Sequence, residues 1–385
     1  MIGAHKGGDV AVVGAGLIGL AIAFELAERG AAVRVFDRGE PGRAASWAGA
    51  GMLAPYTEHI DDENVLELCE RSLGAYPEFA ERVRAAGGID PQLRLNGILH
   101  ASFDASGVAR LSAHALDLAR RGVAHDILDR EQTLAFEPWL GTHVVGSLLV
   151  RDEGSIDNRR FGRALAAACD ARGVTFVREA ADLAVECDDR RVLGVRSERG
   201  FAACSIVINA TGAWAEQLPG VPPSARPAVR PVKGQMLALS VPRGFVRHTT
   251  WVPGAYLVPR DDGRLLVGAT VEDEDFDQRV TASGIRQLLN AALSAAPALG
   301  AFSIGETWAG LRPGTPDGRP YLGPTPIEGL LLATGHFRNG ILLAPITAKL
   351  LASYIDGSLP QGALDAFGLT RGGTEAPDAH RTGIV

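Results

Sequence analysis

The sequence predicts an α/β fold in which a second, antiparallel-sheet (α+β) domain is inserted into a first domain built on a parallel sheet. One observation is the opening stretch DVAVVGAGLIGLAIAFELAERGAAVRVFD, which has a strand–helix–strand pattern around a glycine-rich turn. A second is that the later stretches GQMLAL, AYLVPR and RLLVGAT alternate or run apolar between Gly, Pro and Asp-Asp-Gly turns. Elements of the first type return later in the chain, so we expect the first domain to be discontinuous.

Length and composition narrow the class of protein. The chain has 385 residues, 46% apolar and 22% charged, which is the balance of a globular protein of two domains. Its net charge of −7 gives no reason to expect binding to nucleic acid or to an anionic membrane. No segment has the ~20 apolar residues that cross a bilayer. The four cysteines show no CxxC spacing, so we expect no metal site, no disulfide framework and a cytoplasmic location.

The glycine-rich turn is the best-formed motif in the chain. Val10–Val13 has the pattern of a buried parallel strand, and Gly14, Gly16 and Gly19 then satisfy G-x-G-x-x-G. A helix is predicted from Leu17 to Arg29. The first glycine permits a tight turn, the second lets the backbone approach a pyrophosphate, and the third lets the helix pack closely on the strand. These features predict a Rossmann-type dinucleotide-binding domain.

The motif is completed by an acidic residue but does not distinguish FAD from NAD. The predicted second strand, Ala32–Phe36, ends at Asp37, whose carboxylate can accept hydrogen bonds from a ribose diol. The following loop, Pro41–Pro55, consists mostly of small residues and has Met52 and Leu53 near its end. Such a loop would let the backbone lie against a large planar cofactor, which favours FAD. A flexible surface linker remains the alternative.

The rest of the chain supplies the remaining elements. Helical spacing appears over Asp61–Ala85 and Arg110–Arg121, and Asp157 and Gly173 flank a further capped helix. A strand ending at Asn209 is followed by the turn Ala210-Thr211-Gly212, which places Thr211 and Gly212 where ligands bind in open α/β sheets.

These elements give predicted domain boundaries. The discontinuous nucleotide-binding domain comprises residues 9–90, 150–220 and 305–365. The substrate-binding domain comprises residues 91–149 and 221–304. Residues 1–8 and 371–385 are predicted to be flexible tails.

Three stretches, SWAGAGMLAP, WAGLRPGTPDGRPYLGP and GHFRNGILLAP, together resemble the glycine oxidases, FAD-dependent amine oxidases of thiamine biosynthesis in the D-amino-acid oxidase superfamily. The resemblance runs from about Asp9 to Ile355. It implies non-covalent FAD, oxidative deamination of glycine and O2 as the electron acceptor. The implied products are H2O2 and an imine that hydrolyses to glyoxylate and ammonia or supplies thiazole synthesis. It also implies a homotetramer and a possible thiazole synthase partner.

The resemblance and the motif together assign site residues. The cofactor-binding residues are Gly14, Gly16, Leu17, Ile18, Gly19, Asp37, Arg38, Ala45, Ser46, Ala50, Gly51, Met52, Asp182, Thr211, Gly212, His336, Phe337, Arg338, Asn339, Gly340, Ile341 and Leu342. The substrate-binding residues are Arg312, Arg338, Tyr256, Trp251 and Met52. The resemblance makes the two arginines partners of the substrate carboxylate.

Three positions depart from the family pattern. Trp251 stands where a tyrosine is expected, Gly254 where a histidine occurs, and Val271 where a methionine follows GAT. All three are expected to line or cover the pocket. They therefore leave open a preference for sarcosine or small D-amino acids over glycine.

The chemistry also follows from residue types. A planar guanidinium can bind a carboxylate with two parallel hydrogen bonds, which suits an amino-acid substrate. No His-Asp or Cys-His constellation calls for a general base, so no catalytic residue is assigned. A helix beginning near Gly340 is expected to direct its N-terminus at the flavin.

Other readings remain open at this point. Arg312 could clamp a turn, Arg338 could cap loop carbonyls at the surface, and Tyr256 could be a packed aromatic. The alternative functions are a sarcosine-type oxidase, a D-amino-acid dehydrogenase that passes electrons to quinone and, remotely, a non-redox FAD-fold binding protein.

Overall fold

The computed structural model describes residues 9–178, 180 and 182–371. The predicted tails therefore lie outside the described residues, except for Arg371. The side chain of Arg371 is buried, forms an ion pair with Asp317 at 2.7 Å and lies over the Tyr321 ring at 3.9 Å. The prediction of a flexible tail is therefore wrong for Arg371.

The helices and strands of the described residues are numbered in chain order. The α-helices are α1 (Leu17–Glu28), α2 (Ala45–Ala48), α3 (Glu63–Gly87), α4 (Ala105–Arg120), α5 (Arg130–Phe136), α6 (Asn158–Ala171), α7 (Ala282–Ala295) and α8 (Ala344–Ile355). The strands are β1 (Val10–Val13), β2 (Val33–Phe36), β3 (Met52–Leu53), β4 (Ile98–Ser102), β5 (His125–Asp129), β6 (Gly146–Val150), β7 (Gly154–Ser155), β8 (Thr175–Val177), β9 (Ala184–Cys187), β10 (Val192–Ser197), β11 (Gly200–Ala203), β12 (Ile206–Asn209), β13 (Arg230–Ser240), β14 (Thr249–Val252), β15 (Ala255–Pro259), β16 (Arg264–Gly268), β17 (Ser303–Gly314), β18 (Tyr321–Pro324) and β19 (Leu330–Thr334). None of the helices in the described ranges is long and apolar enough to cross a bilayer.

The first sheet contains the glycine-rich turn. Its strand order is β18-β19-β12-β1-β2-β8, and every neighbouring pair is parallel except β18 with β19. Helices α1, α3, α6 and α8 pack together in the large apolar core that covers this sheet. The small sheet β11-β10-β9 packs through a separate cluster that includes Val13, Val195 and Val207. The first sheet therefore has the covered parallel arrangement that the sequence predicts.

The second sheet has the order β17-β13-β16-β15-β14-β4-β6-β5 and is antiparallel except for the pair β14 and β4. Leu288 and Ala292 of α7 pack with strand residues such as Leu257 on one face. On the other face, Trp251 and Tyr256 belong to a cluster that includes loop residues of the first domain. The prediction of an α/β fold with an antiparallel-sheet unit is confirmed. Strand β17 lies in this second sheet although the predicted boundary at residue 305 falls within it.

Two helices begin at residues other than those predicted, because their N-terminal capping residues were not recognised in the sequence. The helix expected over Asp61–Ala85 is α3, which begins after Asp62 because that carboxylate accepts hydrogen bonds from the backbone N–H groups of the first turn. The helix expected over Arg110–Arg121 is α4, which begins five residues earlier because Asp104 caps it. Asp157 caps α6, as its sequence position predicts.

The glycine-rich turn has the geometry that its sequence predicts. Gly14 has a φ of +108°, which favours glycine. A Cβ atom at Gly19 would lie 1.9 Å from the Gly14 carbonyl oxygen, so helix α1 can approach the turn only without a side chain there. The close packing of α1 on β1 therefore depends on glycine at this position.

Gly19→Ala is expected to lower the free energy of unfolding by about 1–3 kcal/mol, because its methyl group overpacks the turn. Gly74→Ala is the matched control, since a Cβ atom there meets no atom within 4 Å in the exposed face of α3. This control should gain up to about 1 kcal/mol from helix propensity. Denaturant unfolding measures both variants, and equal stability of the two would contradict the packing argument.

Candidate functional site

A cavity of about 630 Å³ lies where the two main sheets meet. Its lining includes the ends of β1 and β12, the 43–54 segment, one face of β13, β15 and β17, and the turn 336–341. The carboxyl ends of parallel strands are the usual ligand site of an open α/β sheet. The cavity therefore joins that site to the apolar face of the second sheet.

Most of the predicted site residues line this cavity. They are Gly14, Gly16, Leu17, Ile18, Asp37, Arg38, Ala45, Ser46, Ala50, Gly51, Met52, Asp182, Thr211, Gly212, Tyr256, Arg312, His336, Phe337, Arg338, Asn339, Gly340 and Ile341. Val271, one of the departures from the family pattern, also lines it, whereas Gly254 does not.

Three predicted site residues do not line the cavity. Gly19 lies behind the turn, where it permits the helix–strand contact. Leu342 is buried, and its carbonyl oxygen accepts a hydrogen bond of 2.6 Å from the Ser72 hydroxyl. Trp251 is fully buried behind Tyr256, with 5.6 Å between the ring centroids, because its strand turns the indole into the core. Trp251 is therefore a support for the pocket wall and not part of its lining.

Asp37 holds the glycine-rich turn in place. Its Oδ2 atom accepts a hydrogen bond of 2.6 Å from the Ala15 N–H, and its Oδ1 atom accepts one of 2.7 Å from the Gly39 N–H. Burial raises the pKa of this carboxyl, and the two backbone N–H groups oppose that rise. Beside it, the Arg38 guanidinium lies 4.1 Å from the centre of the Trp214 ring, which also lines the cavity. Sequence reasoning missed Trp214, because its place in the site depends on this contact between residues that are far apart in the sequence.

The turn at residues 336–341 differs from the expected helix. Phe337–Asn339 forms one 3₁₀ turn, and α8 begins only at Ala344. The backbone N–H groups of Gly340 and Ile341, both in the cavity lining, have no hydrogen-bond acceptor among the described residues. We expected the N-terminus of a helix to supply free backbone N–H groups. An irregular turn that precedes the helix supplies them instead.

His336 is a structural member of this turn. Its Nε2 atom lies 3.0 Å from the Thr347 hydroxyl on α8. Burial lowers the pKa of His336 to about 3, so the imidazole is neutral across the physiological range. Its contact fixes the turn against the helix that follows.

Arg312 projects from β17 into the cavity. Its Nη1 atom donates hydrogen bonds to the carbonyl oxygens of Lys233 at 3.3 Å and Thr270 at 3.2 Å. A Cβ atom at Gly234 would lie 2.3 Å from Nη1, so the guanidinium rests directly on that glycine. Burial lowers the pKa of Arg312, and the neighbouring Tyr256 opposes this shift. Arg312 contacts the second sheet and does not clamp the turn that follows it.

Among the described residues, Arg338 has a carboxylate partner and Arg312 has none. Within the described part of the chain, Arg312 forms no ion pair. The Nε atom of Arg338 lies 2.7 Å from the Glu58 Oε2 atom, and both side chains face the cavity. Of the two guanidinium charges in this part of the cavity, one is thus neutralised internally and the other is left for an anionic ligand.

Glu58 is a site residue that the sequence did not reveal, because it follows β3 in an irregular segment without a motif. The segment is held by Glu153, a fully buried carboxyl. Its Oε1 atom accepts hydrogen bonds from the Tyr56 N–H at 2.6 Å and the Thr57 N–H at 3.0 Å, and its Oε2 atom accepts one from the Thr57 hydroxyl. Glu153 therefore holds the backbone just before Glu58 in place, and this positions Glu58 beside Arg338.

The sequence pattern of the protein family described as "FAD dependent oxidoreductase" matches residues 9–354. A glycine oxidase of Pseudomonas putida is 34% identical over 354 residues, which cover 91% of this chain and 95% of that protein. A "Bifunctional protein ThiO/ThiG" of Synechocystis is 39% identical over 354 residues, or 90% of this chain and 51% of that protein. The chain thus spans about half the length of the ThiO/ThiG relatives that it matches.

A solved structure has the same fold over nearly the whole chain. The crystal structure of glycine oxidase from Geobacillus kaustophilus gives a TM-score of 0.89 at 34% identity, and the match covers 95% of this chain and 99% of that one.

The residues of the cavity fit FAD. A Cβ atom at Gly16 would lie 3.3 Å from the Ser46 hydroxyl, so the absence of a side chain there keeps the pyrophosphate approach open. The Ile18 N–H at the start of α1 has no acceptor in the described ranges and provides an anion-binding donor. The free N–H groups of Gly340 and Ile341 offer further donors to an electron-rich ring. These residues would hold the cofactor at both the phosphate end and the flavin end.

The titration of Glu153 gives a test of how the Glu58 segment is supported. Burial raises the pKa of Glu153 from 4.5 to about 7. Between these values the folded protein binds more protons than the unfolded chain, so the free energy of unfolding falls as pH rises through this range. Glu153→Gln keeps an acceptor for the backbone and removes the titration. It should resemble the parent near pH 5 and be more stable than the parent at pH 8.

Denaturant unfolding of both proteins at the two pH values measures this difference. Other titrating groups contribute equally to parent and variant, so their effects cancel in the comparison. An equal loss of stability in the two proteins between pH 5 and pH 8 would contradict the shift assigned to Glu153.

Proposed function

We propose that this chain, which belongs to the family of FAD dependent oxidoreductases, is an amino-acid oxidase that deaminates glycine. The observation that carries the proposal is the Arg312 guanidinium, which faces the cavity, donates to two carbonyl oxygens and forms no ion pair among the described residues. A half-buried cation of this kind, whose charge is partly desolvated, is stabilised by an anionic ligand. The substrate carboxylate supplies that anion, and the similarity to glycine oxidases supports the choice of a small amino acid.

Arg312 makes the main contact with the substrate, through the substrate carboxylate. Its planar guanidinium presents parallel donors to a carboxylate, and its carbonyl contacts with β13 and the segment after β16 fix its orientation. Glycine has no side chain to hold, so the carboxylate contact determines where the α-carbon lies. Tyr256 stands beside Arg312, and burial raises the pKa of its phenol, which keeps it a neutral hydrogen-bond partner.

Arg338 contributes a second, weaker interaction. Its charge is balanced by Glu58 at 2.7 Å, so the pair adds polarity to the pocket without a second net charge. The substrate end of the cavity then carries one uncompensated positive charge. One positive charge at this end of the cavity is complementary to the single carboxylate of an amino acid.

FAD, held by the glycine-rich turn and the turn at residues 336–341, would supply the acceptor for a hydride equivalent from the α-carbon, and O2 would take up the electrons to give H2O2. The chain's own residues bind and orient the substrate, and the amine reacts in its neutral form. His336, with a pKa lowered to about 3 by burial, is neutral at physiological pH and carries no positive charge toward the substrate. The imine product hydrolyses in water to glyoxylate and ammonia.

We infer a role in supplying thiamine thiazole synthesis, with thiazole synthase as a possible partner, because relatives named "Bifunctional protein ThiO/ThiG" match most of this chain. We also infer a cytoplasmic homotetramer with non-covalent FAD. Sarcosine and small D-amino acids are alternative substrates, since Val271 in the cavity lining departs from the family pattern.

The direct test is anaerobic mixing of the FAD-loaded protein with glycine, sarcosine, D-alanine and D-proline. Glycine should bleach the flavin absorbance most efficiently, as judged by the rate at low substrate concentration. Readmission of O2 should restore the colour and release H2O2. Bleaching by none of these amino acids would contradict the proposed class of reaction. Bleaching without rapid recovery in O2 would instead indicate a dehydrogenase.

The two arginines should differ in their effect. Arg312→Ala removes the uncompensated charge and should raise KM for glycine by about 30- to 5,000-fold, which corresponds to 2–5 kcal/mol for a buried charge contact. Arg338→Ala should have a smaller effect on KM, because Glu58 already satisfies that guanidinium. Gly234→Ala should also raise KM for glycine, but less than Arg312→Ala does, because the added methyl group displaces the Arg312 guanidinium without removing it.

Steady-state kinetics with glycine measures these effects, and the dissociation constant for FAD is the control that should stay within about threefold of the parent in Arg312→Ala. A larger rise of KM in Arg338→Ala than in Arg312→Ala would reverse the roles assigned here.

A further inference from the structure

The segment of residues 45–52, here called the cofactor loop, comprises helix α2 and the residues that lead to Met52 at the start of β3, and five of its carbonyl oxygens are bonded by donors from outside the segment. The Asn158 side-chain amide donates hydrogen bonds to the carbonyl oxygens of Ser46 at 2.8 Å and Trp47 at 3.0 Å. The Arg260 Nη2 atom donates one of 2.6 Å to the Ala50 carbonyl oxygen. Each donor comes from outside the loop, from the start of α6 or from the residue after β15.

Two further contacts complete this pattern. The Trp308 indole Nε1–H on β17 donates a hydrogen bond of 2.9 Å to the Ala48 carbonyl oxygen. The Ile156 N–H donates one of 2.8 Å to the Gly51 carbonyl oxygen. Five carbonyl oxygens of the cofactor loop are thus bonded by four residues from other parts of the chain.

The orientation of these carbonyls determines the orientation of the neighbouring N–H groups. In a planar trans peptide unit the C=O and the following N–H point in opposite directions. Because the Ala50 carbonyl points to Arg260 and the Gly51 carbonyl to Ile156, the N–H groups of Gly51 and Met52 point away from that wall. Both residues line the cavity, so these donors are directed to its side of the loop.

The side chains that bond the carbonyls form a buried polar network. The Arg260 Nη2 atom also donates a hydrogen bond of 3.1 Å to the Asn158 Oδ1 atom. The carboxylate of Asp157 lies 3.8 Å from the Arg260 Nε atom, with each of these two side chains 4% exposed. Burying such groups costs free energy unless all their polar atoms are bonded. A network of this kind behind an irregular loop indicates that the loop must hold one conformation.

We infer that Asn158, Arg260 and Trp308 act as positioning residues for FAD. Together they form a carbonyl clamp, which fixes the cofactor loop so that its N–H groups face the bound cofactor. The carbonyl clamp touches neither the substrate pocket's Arg312 nor the Glu58–Arg338 pair by hydrogen bond among the described residues. The inference rests on the cofactor and not on the proposed substrate, so a failure of glycine oxidation leaves it intact.

The test measures FAD affinity, independently of turnover, by titrating apoprotein with FAD and following flavin fluorescence. Arg260→Met should raise the dissociation constant about tenfold or more, because the Ala50 carbonyl loses its buried partner. Arg260→Lys, which retains a charged donor, should recover part of this loss. Trp308→Phe should raise the constant about three- to tenfold through the Ala48 carbonyl alone. The visible spectrum of the bound flavin should shift in the variants that bind.

Arg264→Met is the matched control. Arg264 lies 3.5 Å from the same Asp157 carboxylate and 2.8 Å from Asp262, but it donates to no loop carbonyl among the described residues. It should leave both the FAD dissociation constant and the flavin spectrum unchanged. Far-UV circular dichroism and the Tm of each apoprotein show whether the variant folds. If Arg260→Met does not fold, Trp308→Phe decides the question.

Dissociation constants within twofold of the parent for the clamp variants that fold would overturn the inference. So would an equal loss of affinity in Arg264→Met and Arg260→Met, because the effect would then belong to the stability of the Asp157 region.

Discussion

A guanidinium that faces a cavity without a carboxylate of its own is the interaction on which the site depends. Arg312 is carried by β17, and its position is fixed by carbonyl oxygens of Lys233 and Thr270 and by the bare backbone of Gly234. Carbonyl dipoles stabilise the charge only in part, so an anionic ligand completes the environment. The long pairing of β17 with β13 brings these groups together, and the adjoining parallel sheet supplies the cofactor side of the same cavity.

Three guanidinium groups in or behind the cavity wall have different bonding partners. Arg338 is balanced by Glu58 and so shapes the pocket without attracting a second anion. Arg260 is buried away from the cavity, where its bonds to the Ala50 carbonyl and Asn158 hold the backbone of the cofactor loop. Arg312 alone of these three is left for a ligand. With the roles proposed for Arg312 and Arg260, substrate recognition and cofactor positioning would be served by guanidinium groups from separate elements, so that each could be altered without the other.

The sequence predicted those features that depend on local pattern. The glycine-rich turn, the strands and helix around it and the cap at Asp157 follow from residue types at fixed spacing, and they are present as expected. Features that depend on the meeting of distant segments were missed or misplaced. Glu58 and Glu153 had no motif, Trp251 turned out to support Tyr256 from behind, and the helix expected near Gly340 begins at Ala344. A local sequence pattern does not indicate which backbone carbonyl group will accept a hydrogen bond from a side chain far away in the sequence.

If Arg312 binds the carboxylate of the substrate, a small carboxylate that cannot be oxidised should bind at the same place. Acetate titrated into the oxidised, FAD-loaded protein should perturb the flavin absorption spectrum, since it occupies the substrate end of the cavity. In Arg312→Met the same titration should require at least about 30 times more acetate, in line with the loss of a buried charge contact. Equal acetate affinity in the two proteins, with FAD bound in both, would contradict the account.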